Sequence, residues 1–441
     1  MNSIAIVGSG FRSIVATIGC LRKGHKVTIF EGSSQFGGFA RSLAYKEYLV
    51  DKGPQYFDNF TDQDRRLFED YVGEPLFKDI GFEYAGYLNS KITRGYAIPD
   101  LSSLNNIEIQ KIFIENVNGL QPNNDISNLD DYFLRREGAT YCYHARRFTK
   151  KFLQVDAAEI EAGNSKLITY AGRKKLFVDE VSRELKRDSV FDQVIAGPKH
   201  LQEDRYNYYP VGGDLNSFFD TLKNSFLRDG VNIVYGAKIK KIDLDNSFIY
   251  YGNKSEYFDY FALTCDVRDA EKILGETDHL QKHTKSLPQV FALVEVESTL
   301  DLNLHYIMVY DTNLRIARIT NFSNYTEKAI GPNGRKLICC EIPLATTEMG
   351  LNYRFDEEII CKELTEILKI EPASIASIKF VEVPSTYKIE LNGFTEKLID
   401  FEKSIKTGKK AHKVLFPEGA LLTRKEAIDS LRAVKCDFFT L

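Results

Sequence analysis

The stretch Ser3-Ile4-Ala5-Ile6-Val7-Gly8-Ser9-Gly10-Phe11-Arg12-Ser13 decides how this chain is read. Five residues of strand character run straight into two glycines, where a strand has to turn sharply into a helix. Beyond the turn, Ile14, Val15, Ile18 and Leu21 fall on one face at helical spacing, and Gly24 stands where a left-handed residue would end the helix. Lys26 to Phe30 is a second strand, closed by Glu31, so a complete βαβ unit fits into the first 31 residues. In such a unit the first two glycines allow a tight turn and the close approach of a pyrophosphate to the helix N-terminus. The acid at the end of the second strand accepts hydrogen bonds from an adenosine ribose. The expected ADP-binding residues are therefore Gly8, Gly10 and Glu31, with Ser13 in the place of the third glycine, where helix and strand pack closely.

Composition bounds the rest. With 441 residues, 43% hydrophobic and 27% charged, the chain is long enough for two or three domains. A net charge of −4 gives no reason to expect nucleic acid or an anionic membrane as partner, so an anionic ligand has to be met locally. No run of about 18 apolar residues marks a membrane span, and the N-terminal residues read as strand, not as a signal peptide. The seven cysteines are scattered, and Cys339-Cys340 would point to opposite faces of a strand. That spacing suits neither a disulfide framework nor a metal site, and the expectation is a reducing, cytoplasmic setting with no metal. With 24 tyrosines and no tryptophan, stacking surfaces have to be built from Tyr and Phe.

Past Glu31, the segment Gly37-Gly38-Phe39-Ala40-Arg41-Ser42 adds a second glycine pair and an arginine suited to a phosphate that the helix end cannot neutralise alone. This resembles the flavoprotein family that includes amine oxidases, protoporphyrinogen oxidase and UDP-galactopyranose mutase, in which E-x-x-x-x-x-G-G-x-x-R-S follows the dinucleotide fingerprint. The resemblance implies FAD rather than NAD, held by Gly37, Gly38, Arg41 and Ser42 as well as by the fingerprint. It implies an α/β fold: a Rossmann-like FAD-binding domain built from discontinuous segments, a helical insert, and an antiparallel-sheet substrate domain. The expected division is 1–60, 205–280 and 403–441 for FAD binding, 61–204 for the insert and 281–402 for the sheet.

Further segments carry the same resemblance. Gly53-Pro54-Gln55 ends a strand that begins at Tyr48, and in the family this turn passes the flavin ring, whose N5 is the expected reacting atom. No catalytic side chain is assigned, and Gln55 stands where mutases carry histidine. The basic runs at Arg135-Arg136, Arg146-Arg147 and Lys150-Lys151 read either as solvated faces or as anion binding; the second resembles the helical domain that closes over substrate in mutases. Leu153-Gln154 departs from the Trp-Gly of those enzymes. Tyr209-Pro210-Val211-Gly212-Gly213 and an amphipathic helix lead back to the FAD domain, where Val234 would lie near the adenine. Short strands are expected at 231–235, 239–244, 248–251 and 260–264.

In the sheet, strands are expected at 290–296, 306–310, 314–321 and 336–342. There Arg318-Ile319-Thr320-Asn321-Phe322-Ser323-Asn324-Tyr325 resembles a mutase segment whose arginine and tyrosine hold the pyrophosphate of a nucleotide sugar. The alternative for Arg318 is a strand arginine paired with a cross-strand acid. Tyr387 takes the aromatic position of a crossing back to the FAD domain, and Lys409 and Gly419 fall where mutases approach substrate and flavin, with Leu415 in place of a tyrosine. A C-terminal helix is expected after the capping box of Thr423 and Glu426.

The function that follows is an FAD-dependent nucleotide-sugar enzyme, a pyranose-furanose mutase acting with a reduced flavin and needing an electron donor such as NADPH. The alternatives are a flavin oxidase or desaturase, and a non-catalytic sugar-nucleotide binder. The sequence leaves the oligomeric state open, a homo-oligomer included.

Overall fold

The structure is a computed structural model that describes residues 1–120, 126–198, 206–275, 278–297, 302–344, 356–407, 411–416, 424–434 and 438–441. They form two compact units: Met1–Gly81 with Asp204–Lys282 and Glu396–Leu441, and Phe82–Glu203 with His283–Thr395.

The first unit is organised on a five-stranded parallel sheet in the order Asn232–Val234, Lys26–Phe30, Ser3–Val7, Tyr260–Leu263, Val414–Leu415. Its central strand is buried because both faces are covered. Ile4, Ala5 and Ile6 are completely buried, as are Ile14, Val15 and Ile18 of the helix Phe11–Arg22. Gly24 adopts φ +72°, the left-handed conformation that ends a helix. The helix Asp62–Val72 opens on a capping box, Thr61 with Asp64, and sends Leu67 and Phe68 into the same core. Hence the boundary expected after residue 60 falls after Gly81. Phe57, Phe60, Phe68, Phe77 and Phe218 form an aromatic cluster there, with ring centroids from 4.8 to 6.4 Å apart.

The second unit carries a seven-stranded sheet in the order Ile375–Glu390, Thr284–Val296, Lys336–Pro343, Arg318–Asn321, Tyr306–Val309, Tyr84–Leu88, Lys91–Arg94. Two of these strands come from the segment expected to be a helical insert, and Tyr306–Val309 pairs with Tyr84–Leu88 in parallel, so the sheet is mixed. The physical reason is burial: Ala85 and Tyr87 belong to the core of the sheet. Helices Asn106–Asn118 and Ala139–Leu153 pack in a separate cluster of the same unit, the second opening at Gly138 with φ +88°.

Candidate functional site

The turn after the first strand is shaped by backbone conformation. Gly8 adopts φ +98° and its N–H donates to the Phe30 carbonyl at 2.9 Å, which fixes the turn to the end of the second strand. Gly10 is the N-cap of the helix Phe11–Arg22, with no side-chain cap and no acid in the first turn. The N-cap residue therefore brings no side-chain acceptor to this helix end, and a Cβ on Gly10 would meet nothing within 4 Å. On the other side the Gly37-Gly38 turn closes in: a Cβ on Gly38 would lie 3.3 Å from the Gly10 Cα, and one on Gly37 2.7 Å from the Phe219 ring. Both glycines also have positive φ, +116° and +63°.

Glu31 is locked in place at the end of the second strand. The buried Ser9 hydroxyl donates to Oε2 at 2.5 Å and accepts the Gly37 N–H at 3.0 Å, while the Ser33 N–H donates to Oε1 at 2.7 Å. A carboxylate has about four acceptor positions, so this one keeps capacity for hydroxyl donors. Val234 lies beside it and accepts the Glu31 N–H at 2.9 Å. The serine in the third-glycine position does more than fit. Ser13 donates to the Thr264 hydroxyl at 2.6 Å, which itself donates to the Val7 carbonyl at 2.8 Å, tying the helix to two strand ends. A helix N-terminus with a glycine cap and no acid in its first turn, flanked by a close glycine turn and a fixed carboxylate, is a donor and acceptor set that fits the pyrophosphate and ribose of a dinucleotide such as FAD.

Arg41 is engaged within the protein. Its guanidinium donates to the Phe36 carbonyl at 2.7 Å and to Asp220 at 3.2 and 3.4 Å, so reaching a phosphate requires it to leave that acid. Ser42 donates to Asp51 and accepts the Leu215 N–H at 3.1 Å. Asp51 is 2% exposed and also accepts from Tyr209; burial pushes its carboxyl up to about 6 against the pull of both hydroxyls and of Arg424. The chain then turns at Gly53, φ +79°, into Pro54 and Gln55. Arg424, the first residue of the helix Arg424–Ala433, donates to Gln55 Oε1 at 2.9 Å and to the Tyr56 carbonyl, and its guanidinium lies 4.6 Å from the Phe57 ring centre. Sequence reasoning passed over Arg424. The available signal was a lone arginine immediately after the threonine of a capping box.

In the second unit, Arg318 takes the alternative role. It stands in register with Glu341 on the neighbouring strand and makes a bidentate pair with it, Nε–Oε1 at 2.7 Å and Nη2–Oε2 at 2.6 Å, the two side chains being 19% and 3% exposed. Tyr387, half-exposed on the long strand Ile375–Glu390 rather than on a crossing, accepts from Arg318 at 3.3 Å. Tyr325 does not join them. It is 2% exposed, its ring 4.9 Å from that of His305 and 6.0 Å from that of Phe82. A pyrophosphate clamp of Arg318 with Tyr325 is thus not assembled: the fork is filled by a carboxylate and the phenol is buried. Lys409 and Gly419 lie outside the described residues, as does Thr423.

With this geometry in view, the similarities can be placed. The profile of the NAD(P)-binding Rossmann-like domain matches residues 6–72. The structure is similar to that of reduced UDP-galactopyranose mutase, with a TM-score of 0.74 at 14% identity over 97% of this chain and 92% of the other. The chain shares that fold. It is also similar to wild-type putrescine oxidase bound to putrescine, with a TM-score of 0.63 at 12% identity and 97% of each chain covered. In sequence it is similar to the 4,4'-diapophytoene desaturase (4,4'-diaponeurosporene-forming) of Staphylococcus aureus strain bovine RF122 / ET3-1. That relative is 21% identical, over 91% of this chain and 86% of the desaturase. Among the described residues no helix is long and apolar enough to cross a membrane, and no group of His, Cys, Asp or Glu is arranged to hold a metal.

Proposed function

We propose that the chain binds FAD in the cradle formed by Gly8, Gly10, Ser13, Glu31, Gly37 and Gly38, with Val234 beside the adenine, and acts as a flavin-dependent oxidoreductase. The observation that carries the cofactor is Glu31, fixed through both oxygens by Ser9 and Ser33 beside a helix N-terminus that has no acid of its own. Bound FAD would supply two-electron acceptor and donor chemistry. The protein's part is to hold the dinucleotide, with the Gly53-Pro54-Gln55 turn set by Arg424 and Asp51.

The redox class is preferred over nucleotide-sugar isomerisation because the arginine that would hold a diphosphate is already paired with Glu341. The similarity to a desaturase over nine-tenths of the chain supports removal of hydrogen across a carbon–carbon bond. One observation favours the nucleotide-sugar reading: Arg318 and Tyr387 meet at 3.3 Å. Protein purified and reconstituted gently should carry flavin, seen by absorbance and by chromatography after denaturation, and Glu31→Ala should retain less. Colourless protein sinks the cofactor assignment. A panel of reduced-flavin incubations with nucleotide sugars should give no ring-contracted product. Any such product formed without net oxidation would replace the oxidoreductase by the isomerase.

A further inference from the structure

The basic run that the sequence left between solvated face and anion site opens onto a cavity. Arg147, Lys150 and Lys151 lie at i, i+3 and i+4 of the helix Ala139–Leu153, hence on one side of it, and with Arg315 they line a space of about 530 Å³. Asp356 is the one acid among the described lining residues, and Ile342 and Ile360 contribute an apolar wall. A volume of a few hundred cubic ångströms is that of a small-molecule site.

The charges here are handled differently from those elsewhere in the same unit. Arg146, one residue away, is bidentate on Asp130, and the buried Lys174 is paired with Glu137 at 2.7 Å. Lys151, only 9% exposed, donates instead to the Asp311 carbonyl at 2.6 Å, and Arg147 donates to the Thr312 hydroxyl at 2.6 Å. Among the described residues neither has a carboxylate partner, and the Arg315 side chain has no ion pair; Lys150 alone is paired, with the exposed Asp156. Like charges at this spacing repel, and the buried Lys151 ammonium hydrogen-bonds a carbonyl, with no carboxylate in ion-pair contact among the described residues, so the arrangement favours an anion. Burial lowers Lys151 to about 7, against the opposing fields of Glu363 and Asp311.

We infer that this cavity is an anion-binding site, distinct from the dinucleotide cradle, that takes the phosphate group of a small phosphorylated molecule with its remainder against the Ile342 and Ile360 wall. Arg147, Lys151 and Arg315 supply the donors. The site is built wholly within the second unit and does not depend on the redox reading.

Calorimetry on the FAD-loaded protein, whose cradle is filled, tests it with inorganic pyrophosphate as probe. Binding should be measurable and weaken with added chloride. The double variant Arg147→Ala/Arg315→Ala should lose at least tenfold in affinity, and Arg146→Ala should leave it unchanged. Sulfate, which does not titrate between pH 6 and 9, gives an independent reading. At pH 8 its binding should take up a fraction of a proton, close to none at pH 6, and Lys151→Met should abolish that uptake. No binding at millimolar pyrophosphate overturns the proposal. So does equal affinity in a double variant whose circular dichroism matches the parent, or a loss caused by Glu31→Ala instead.

Discussion

Asp51 is where a single proton should be visible. A carboxyl raised to about 6 in the folded protein and near 3.8 when unfolded binds its proton more tightly in the native state. Stability from this group is present below pH 4, falls as pH rises through 4 to 6 and stays lost above, by about 3 kcal/mol. Asp51→Asn should therefore flatten the fall in thermal midpoint between pH 4 and 7; an unchanged slope would show that another group carries it. The Arg318–Glu341 pair offers a second measurement. If its role is to neutralise the buried Glu341, Arg318→Ala leaves a carboxylate alone and costs about 3 to 5 kcal/mol, while Arg318→Ala/Glu341→Gln recovers much of it. A ligand arginine would instead be removed with little effect on denaturant midpoint.

At the scale of elements, what could be read in the sequence was whatever local chemistry determines. The fingerprint strand and helix and the stop at Gly24 each depend on neighbours a few residues away, and each is present. The helix Asp62–Val72 is local in the same sense, opened by the Thr61 cap and ended by Gly73 at φ +87°. Elements decided by distant partners were not legible. Tyr84–Leu88 and Lys91–Arg94 are short strands inside a helical stretch, and they become sheet only through the pairing of Tyr84–Leu88 with Tyr306–Val309. The strand expected at 314–321 begins at Arg318, since the Arg315 and Ile316 amides are held by Glu363 instead of a neighbouring strand. For the same reason the residue types of a clamp were visible at Arg318 and Tyr325, whereas the cross-strand acid 23 residues on was not.

The C-terminal helix shows how an element's end can serve a turn far away in sequence. Arg424 reaches back 369 residues to Gln55 from the first turn of that helix, where a cation is unfavourable to the helix dipole and burial lowers its own pKa. Its placement is explained by the acceptors it finds at Gln55 and Tyr56. Arg424→Met keeps the volume and removes the donors, so it should lower stability by about 1.5 to 3 kcal/mol and shift the absorbance of bound flavin. Unaltered melting and spectrum would remove Arg424 from the description of the turn.

For the whole molecule, ligand linkage gives the simplest check. A dinucleotide that binds only the folded first unit stabilises it by about 2.7 kcal/mol at a free concentration one hundred times its Kd. Added FAD should raise the thermal midpoint of apo-protein in a concentration-dependent way. The rise should shrink in Glu31→Ala, and a midpoint indifferent to FAD would contradict the cradle.

The parallel sheet has a further consequence during synthesis. Ile4 pairs with Tyr260, so the central strand leaves the ribosome 256 residues before its neighbour. At about 5 to 20 residues per second, the nascent chain carries that apolar strand with one edge unmatched for roughly 13 to 50 s. Productive folding of the first unit is therefore late, and shielding of the emerging N-terminal segment by a chaperone should raise the yield of native protein more than any change near the C-terminus.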